Sequence, residues 1–411
     1  MGQHGTDSDL STVDSDARVA RRVRLVVAWV LTPVIILAVT AMVLLWPDRG
    51  GIVQDVLDAP RGAGTVQEIT PCTVAPKDCD IATLALTDGP GAGSTVSAVV
   101  PRASGVKVSV GQTALVAHYP TRLVEWERYE VEGPDRSLPL GLLALVFCLA
   151  VIALSRWRGL AALGALGLCL AGLTEFVMPA IIHGANPLLV AVVGGTVIMV
   201  AALFLTHGFN ARTAVAVLGT AAGLTLTGVL GYGSLEMAGI TGLGSDNVGF
   251  LSGYLEGVDL QGLLLAGLVI GALGVLDDVT VTQATVVWEL AAADPSASRA
   301  KLFSAGLRVG RAHVASTVNT LVLAYAGVAL PLLMLFAIRG MPGQHVISSA
   351  AIAEEVVRAL VGSLGIIAAV PLTTLLAALA VGGRGAAVVE VPEQDPLPET
   401  PRADLHAGHV Q

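Results

Sequence analysis

Eight apolar stretches, each about as long as a bilayer is thick, constrain this chain more than any other feature. The first runs from Leu25 to Trp46. Seven more lie near Leu138–Leu154, Gly159–Ile182, Pro187–Leu205, Thr213–Tyr232, Leu260–Trp288, Thr317–Phe336 and Ala359–Val381. A helix needs about 20 such residues to cross a ~30 Å hydrocarbon core, and helices are one of only two structures that satisfy the backbone there. A soluble domain would carry roughly 25% charged residues. This chain of 411 residues has 13%, against 54% hydrophobic, and its 47 glycines suit close helix packing in lipid. The expected fold is an all-α polytopic membrane bundle of about eight transmembrane helices. A small all-β extracytoplasmic domain is inserted between helices 1 and 2.

Charge placement orients the bundle. Arg18, Arg21, Arg22 and Arg24 precede the first apolar run, which lacks a cleavage site and reads as an uncleaved anchor. With that end inside, the inner loops carry Arg156, Arg158, Arg212, Arg299, Lys301, Arg308 and Arg311. The outer segments 182–186 and 233–259 hold no Lys or Arg. Only the last outer loop, with Arg339 and Arg358, runs against the bias. The expectation is a plasma-membrane protein with both termini cytoplasmic. It divides into a disordered tail (1–24), an anchor (25–46), a β-rich domain (47–137), a seven-helix membrane domain (138–381) and a second disordered tail (382–411). The net charge of −9, with no basic stretch interleaved with aromatics, excludes nucleic-acid binding.

Between the first two apolar runs the pattern becomes short and β-leaning. Val66–Ile69, Ile81–Leu86, Thr95–Val100, Val106–Val110, Thr113–His118 and Glu125–Val131 are separated by Gly/Pro turn signals. Such a segment predicts a small barrel or sandwich with a thin core. A disulfide between Cys72 and Cys79 would staple it in an oxidising compartment; the alternative is two unpaired thiols. Cys148 and Cys169 lie inside apolar helices.

Chemistry is concentrated in Gly262–Leu290. At 100° per residue, Gly267, Gly271, Gly274, Asp278, Thr282, Thr285 and Glu289 share an arc about 80° wide, with Asp277 about 100° away. The glycines predict helix packing. An ionised carboxylate at mid-bilayer costs about 2.5–3.5 kcal/mol, so two adjacent ones must face the protein interior, bind a proton or cation, or lie at the interface. If the span starts at Leu260, Asp277 lies about 26 Å along it, near the inner boundary. On the next span His313, Thr317 and Thr320 share one face and Asn319 sits about 120° away. A polar membrane site of Asp277, Asp278, Thr282, His313, Thr317 and Asn319 is therefore expected, against ordinary interhelical hydrogen bonding as the alternative. Glu175, followed by Pro179, marks either a second polar pocket or the outer interface. No phosphate loop, zinc-protease helix, nucleophile elbow or separated aspartate pair is present. No enzyme activity and no cofactor are expected.

Four blocks carry a resemblance: Phe176–Gly194, Leu205–Thr220, Gly267–Leu290 and Gly306–Phe336. The runs LDDVTVTQ and STVNTLVLAYAG are its most specific parts. Together the blocks resemble the YibE/F-like membrane protein family in its actinobacterial form. The resemblance implies a multi-pass, permease-like protein without an established substrate. It places Asp277, Asp278, Thr280, Thr282, Gln283 and Asn319 in motif blocks without giving them roles. The functional expectation is a transporter or permease-like component, with a proton or cation as partner at the acidic site. The alternative is a non-transport scaffold or accessory subunit whose extracytoplasmic domain binds a partner or the cell envelope, or a homo-oligomer.

Overall fold

The computed structural model describes residues 29–47, 59–72, 79–102, 105–122, 124, 127–244 and 257–381. Both tails expected to be disordered, and the start of the expected anchor, lie outside these residues.

Five strands form the β domain: β1 Arg61–Pro71, β2 Cys79–Asp88, β3 Thr95–Pro101, β4 Thr113–His118 and β5 Tyr129–Pro134. They close into a barrel in the order β1-β2-β3-β5-β4, with β4 returning to β1. Pairing is antiparallel except between β3 and β5, which meet at Val99 and Glu130 in parallel. Alternate residues point inward, so Val66, Ala82, Leu84, Ala98, Val116 and Val131 make one core. The wall is tight where Gly64 crosses β2: a Cβ there would stand 2.9 Å from the Ala85 carbonyl oxygen. A disulfide joins Cys72 to Cys79 with a Cα separation of 5.5 Å. Next to it, Arg102 donates to Asp80 at 2.5 and 2.9 Å, and that guanidinium holds the Asp80 carboxyl below its usual range.

Two of the six expected strands need correction. Val106–Val110 forms no strand; Val106 and Val108 lie against the core instead. Of the expected Glu125–Val131 strand, Glu125 and Trp126 lie outside the described residues, Glu127 and Arg128 are not in a strand, and β5 runs from Tyr129. Closure supplies the reason, because β4 already pairs with both β1 and β5 and the barrel offers no edge for a sixth strand.

Among the described residues, six helices are long and apolar enough to cross a membrane. The shorter apolar helix Trp29–Leu44 precedes the barrel and is designated α1. After the barrel, α2 (Ser137–Gly172) passes through a π turn at Leu173–Val177 into α3 (Met178–Ile182). There follow α4 (Pro187–His207), α5 (Ala211–Ala238), α6 (Leu260–Ala293), α7 (Arg299–Ile338), the short α8 (Gly343–Ile347) and α9 (Ala350–Val381). Four starts are capped from the side chain: Asn186, Asn210, Asp259 and Ser298 each accept a backbone N–H three residues on.

The two spans expected at 138–154 and 159–182 form one helical run, broken at Arg156. There φ is 51° and ψ −126°, the first central position of a tight turn that favours Gly. The chain reverses at this point. A Cβ on Gly159 would stand 2.5 Å from the Val151 carbonyl oxygen, although eight residues of straight helix span about 12 Å. The π turn has a local cause as well: Pro179 has no N–H for the Glu175 carbonyl, and widening the turn accommodates its ring.

At the centre α5, α6 and α9 pack on one another; α7 covers α6 and α9, and α4 lies against α6 and α2. The shared core includes Leu276, Val279, Ile366 and Ala369. Bare backbone allows the close approaches. A Cβ at Gly219 would collide with the Thr373 hydroxyl, and one at Gly365 with that of Thr227. At Gly310 it would meet Gln283 and Val370, both at 2.7 Å. The packing expected of Gly267, Gly271 and Gly274 lies with these other glycines instead. Gly267 and Gly274 have open space where a Cβ would go, and Gly271 meets only the Tyr325 hydroxyl, at 3.2 Å.

Candidate functional site

The interior of the bundle is polar in a narrow band. Thr213, Thr220 and Thr227 recur every seven residues on α5, and all three are buried. Thr220 and Thr280 share a hydroxyl hydrogen bond of 2.7 Å, and Thr280 also donates to the Asp277 carbonyl at 3.2 Å. One turn further along α6, Gln283 is buried. Its amide donates to the Gly306 carbonyl at 2.8 Å and to Thr374 at 2.7 Å, tying α6 to α7 and α9. The Thr374 hydroxyl in turn donates a hydrogen bond to the Val370 carbonyl at 2.6 Å.

Asp277 borders this band. One carboxylate oxygen is buried and has no hydrogen-bond partner. Thr220 lies beside the other side of the carboxyl, and Cys169 of α2 is within electrostatic reach. Asp278, about 100° round the helix, is exposed. Asp277 therefore turns inward toward α5 while its neighbour does not.

Below Asp278 on the same face, Thr282 and Thr285 line a crevice of about 970 Å³. Its other walls are Ser155 and Arg158 beyond the α2 break, Thr206 and His207 closing α4, and Asn210–Thr213 opening α5. Asp278 and Arg158 are both close enough to act electrostatically on His207. The crevice therefore opens among the Arg-bearing loops at one end of the bundle, and the aspartates stand about one turn beyond it.

Among the described residues no hydrogen bond or ion pair joins the α6 members of the expected site, Asp277, Asp278 and Thr282, to its α7 members, His313, Thr317 and Asn319. Asp277, Asp278 and Thr282 belong to one end of α6. His313 has its Nε2 buried without a partner on α7, and Thr317 donates to the His313 carbonyl at 2.9 Å. Asn319 is exposed. Neither His313 nor Asn319 has a hydrogen bond or ion pair with either aspartate among the described residues. Glu175 sits exposed in the π turn, beside an apolar pocket that includes Trp46 and Phe176.

Sequence reasoning missed the threonine–glutamine band and the crevice. The seven-residue spacing of Thr213, Thr220 and Thr227 was a usable signal. At the opposite end of α6, Glu354 is buried and accepts the Gly244 N–H at 2.8 Å; Arg358 pairs with Glu355 at 2.7 Å. That pairing neutralises the Arg358 charge locally. No group of three or more His, Cys, Asp or Glu able to hold a metal occurs among the described residues.

Long apolar helices, a small separate barrel and a polar seam inside the bundle define a membrane-embedded protein. A family model described as YibE/F-like protein matches residues 143–383, and the chain belongs to the YibE/F-like protein family. Neither the curated proteins nor the solved structures gave a match. The match covers the whole helical region beyond the first turns of α2 and leaves out the barrel.

Proposed function

We propose that this chain is a transporter or permease-like component of the plasma membrane that moves a proton or cation past Asp277 and Asp278. The observation that carries the reading is the buried, unpartnered oxygen of Asp277 beside the Thr220–Thr280 pair. A carboxylate set among hydroxyls and amides is suited to binding a hard cation through oxygen or to relaying a proton. The crevice at Thr282 and Thr285 gives such a passenger a route to the aspartates. On this reading the chain crosses eight times with both termini cytoplasmic. The reversal at Arg156 supports that count by dividing the 46-residue run into two crossings. No step in the proposal is enzymatic.

Reconstitution tests it. Proteoliposomes carrying the wild type should dissipate an imposed proton or cation gradient, and Asp277→Asn should slow this about tenfold, with a smaller loss in Asp278→Asn. Equal fluxes for wild type and both variants, across protons and common cations, would remove the reading.

A scaffold reading draws on α7, of whose 40 residues only Leu302, Gly306, Gly310 and Leu321 are buried. Lipid covers such a face without any partner, so transport stands first. A stoichiometric partner that survives the aspartate substitutions but is lost with the barrel would reverse that order.

A further inference from the structure

We propose that the crevice between α2, α4, α5 and α6 binds a phosphate-class anion through Arg158, Arg212 and His207. The inference concerns the mouth of the crevice that the transport reading takes as its route, and its test needs no flux, so either can fail without the other.

The first argument is unspent donor capacity. Some arginines elsewhere are closely paired, Arg61 with Glu132 at 3.0 Å, Arg122 with Glu130 at 3.0 Å and Arg358 with Glu355 at 2.7 Å, while others such as Arg308 and Arg311 are exposed on a helix and do not line this crevice. In the crevice Arg212 reaches Glu289 only at 3.8 Å, and Arg158 has no hydrogen bond or ion pair among the described residues. A direct charge-assisted bond would be about 2.7–2.9 Å. Each guanidinium has five N–H donors in a fork that matches phosphate oxygens. His207 adds to them. The Thr206 hydroxyl engages its Nδ1 at 2.7 Å, the Leu203 backbone also bonds the ring, and the imidazole lines the crevice.

The second argument is shape. About 970 Å³ lies within the range of small-ligand sites, and the walls come from two separate connections and the body of α6. Their form is fixed by side chains that are already committed. Asn210 donates to the His207 carbonyl at 2.7 Å and accepts the Thr213 N–H at 2.9 Å, holding the α4–α5 turn. Ala211 and Arg212 begin α5 and line the crevice, so the first N–H groups of that helix add to the positive field. The anion would meet two arginines, an imidazole and a helix start together.

The third argument is location. The residues sit where apolar helices of membrane-spanning length end and loops begin, and basic pockets between such helix ends suit phosphate-bearing groups. Glu289 and Asp278 oppose the site from α6. Glu289 is mostly exposed and loosely held, so it tempers the affinity without filling the crevice.

Full-length protein in phosphatidylcholine nanodiscs provides the test, read by the emission of Trp288, which lines the crevice, with Trp288→Phe as the signal control. Inorganic phosphate and, separately, phosphatidylglycerol are titrated. The expected result is a saturable change that Arg158→Gln and Arg212→Gln each weaken about tenfold, the value of one lost charge-assisted bond. Glu289→Gln should tighten binding by freeing Arg212, and Arg158→Lys should retain part of it. Arg308→Gln and Arg311→Gln, on exposed positions of α7 outside the crevice, should leave it unchanged. Saturation by free phosphate identifies a soluble anion, whereas saturation by phosphatidylglycerol alone identifies a headgroup. No saturable change from either source overturns the proposal. So does an equal loss in all four glutamine variants, which would mean a general attraction to basic loops.

Discussion

The barrel and the helical bundle differ in what they admit among their buried apolar residues. In the barrel the inside is wholly apolar, built of Val66, Leu84, Val116, Val131 and small alanines, while ion pairs such as Arg61–Glu132 lie on the outer surface. In the bundle the surface is studded with exposed Leu, Val and Phe, and the inside holds Thr220, Thr280, Gln283, Thr373 and Thr374. Water explains the first arrangement, since burying apolar area is what drives a small soluble fold. Lipid explains the second. Tails as oily as leucine give no reward for hiding leucine, so packing and interhelical hydrogen bonds hold the helices together. Two rules for the interior operate within one chain, one in the barrel of residues 61–134 and one among the helices.

The largest expected effect tests the barrel half of that contrast. Leu84 is fully buried in a thin core. Leu84→Ala should cost the barrel roughly 2–5 kcal/mol. Hydrogen exchange would show protection lost across β1–β5 while the amides of α5, α6 and α9 keep theirs. If the helices lost protection equally, the two regions would not be separate folding units. The second effect tests the bundle half. Gly219→Ala places a methyl against Thr373 and should cost about 1–3 kcal/mol by overpacking, whereas Gly267→Ala meets open space and should change stability by less than about 0.5 kcal/mol. Thermal unfolding in detergent ranks the two. A reversed ranking would return helix packing to the Gly267–Gly271–Gly274 stripe.

That pair of glycines also shows how far the sequence was readable. Apolar runs located the helices, because hydropathy records contact with lipid. Helix ends were not readable in the same way. α7 starts at Arg299, not Thr317, and α9 at Ala350, not Ala359, since backbone hydrogen bonding continues where lipid contact stops. The seam at Gly219, Gly310 and Gly365 was illegible because a glycine packs only if a neighbouring helix presents a side chain there, and that depends on rotation about both axes. The same rotation separates His313, with its buried Nε2, from the exposed Asn319. The carboxylates were found because an acid in an apolar run is conspicuous. Thr220 and Gln283 were passed over because isolated polar residues in such runs ordinarily bond their own helix.

The smallest effect lies on the wet loop between α6 and α7, where the barrel's rules should apply again. Asp294 accepts from Lys301 at 2.8 Å and from the Ser296 hydroxyl at 2.7 Å, and these bonds hold its carboxyl at about 2. An unfolded aspartate titrates near 3.9. Because the folded value is the lower one, the stabilisation is complete above about pH 4 and disappears as pH falls through about 2. Asp294→Asn should therefore lower the melting temperature slightly at neutral pH, and less in high salt, because an exposed pair is screened. Asparagine keeps an acceptor for Ser296 but loses the charge facing Lys301. A deficit that shrinks between pH 4 and pH 2 would assign the effect to the ion pair, as expected for a group in water. One that persisted unchanged at pH 2 would assign it to the turn geometry, and the boundary between the two interior rules would then need to be drawn beyond the helix ends.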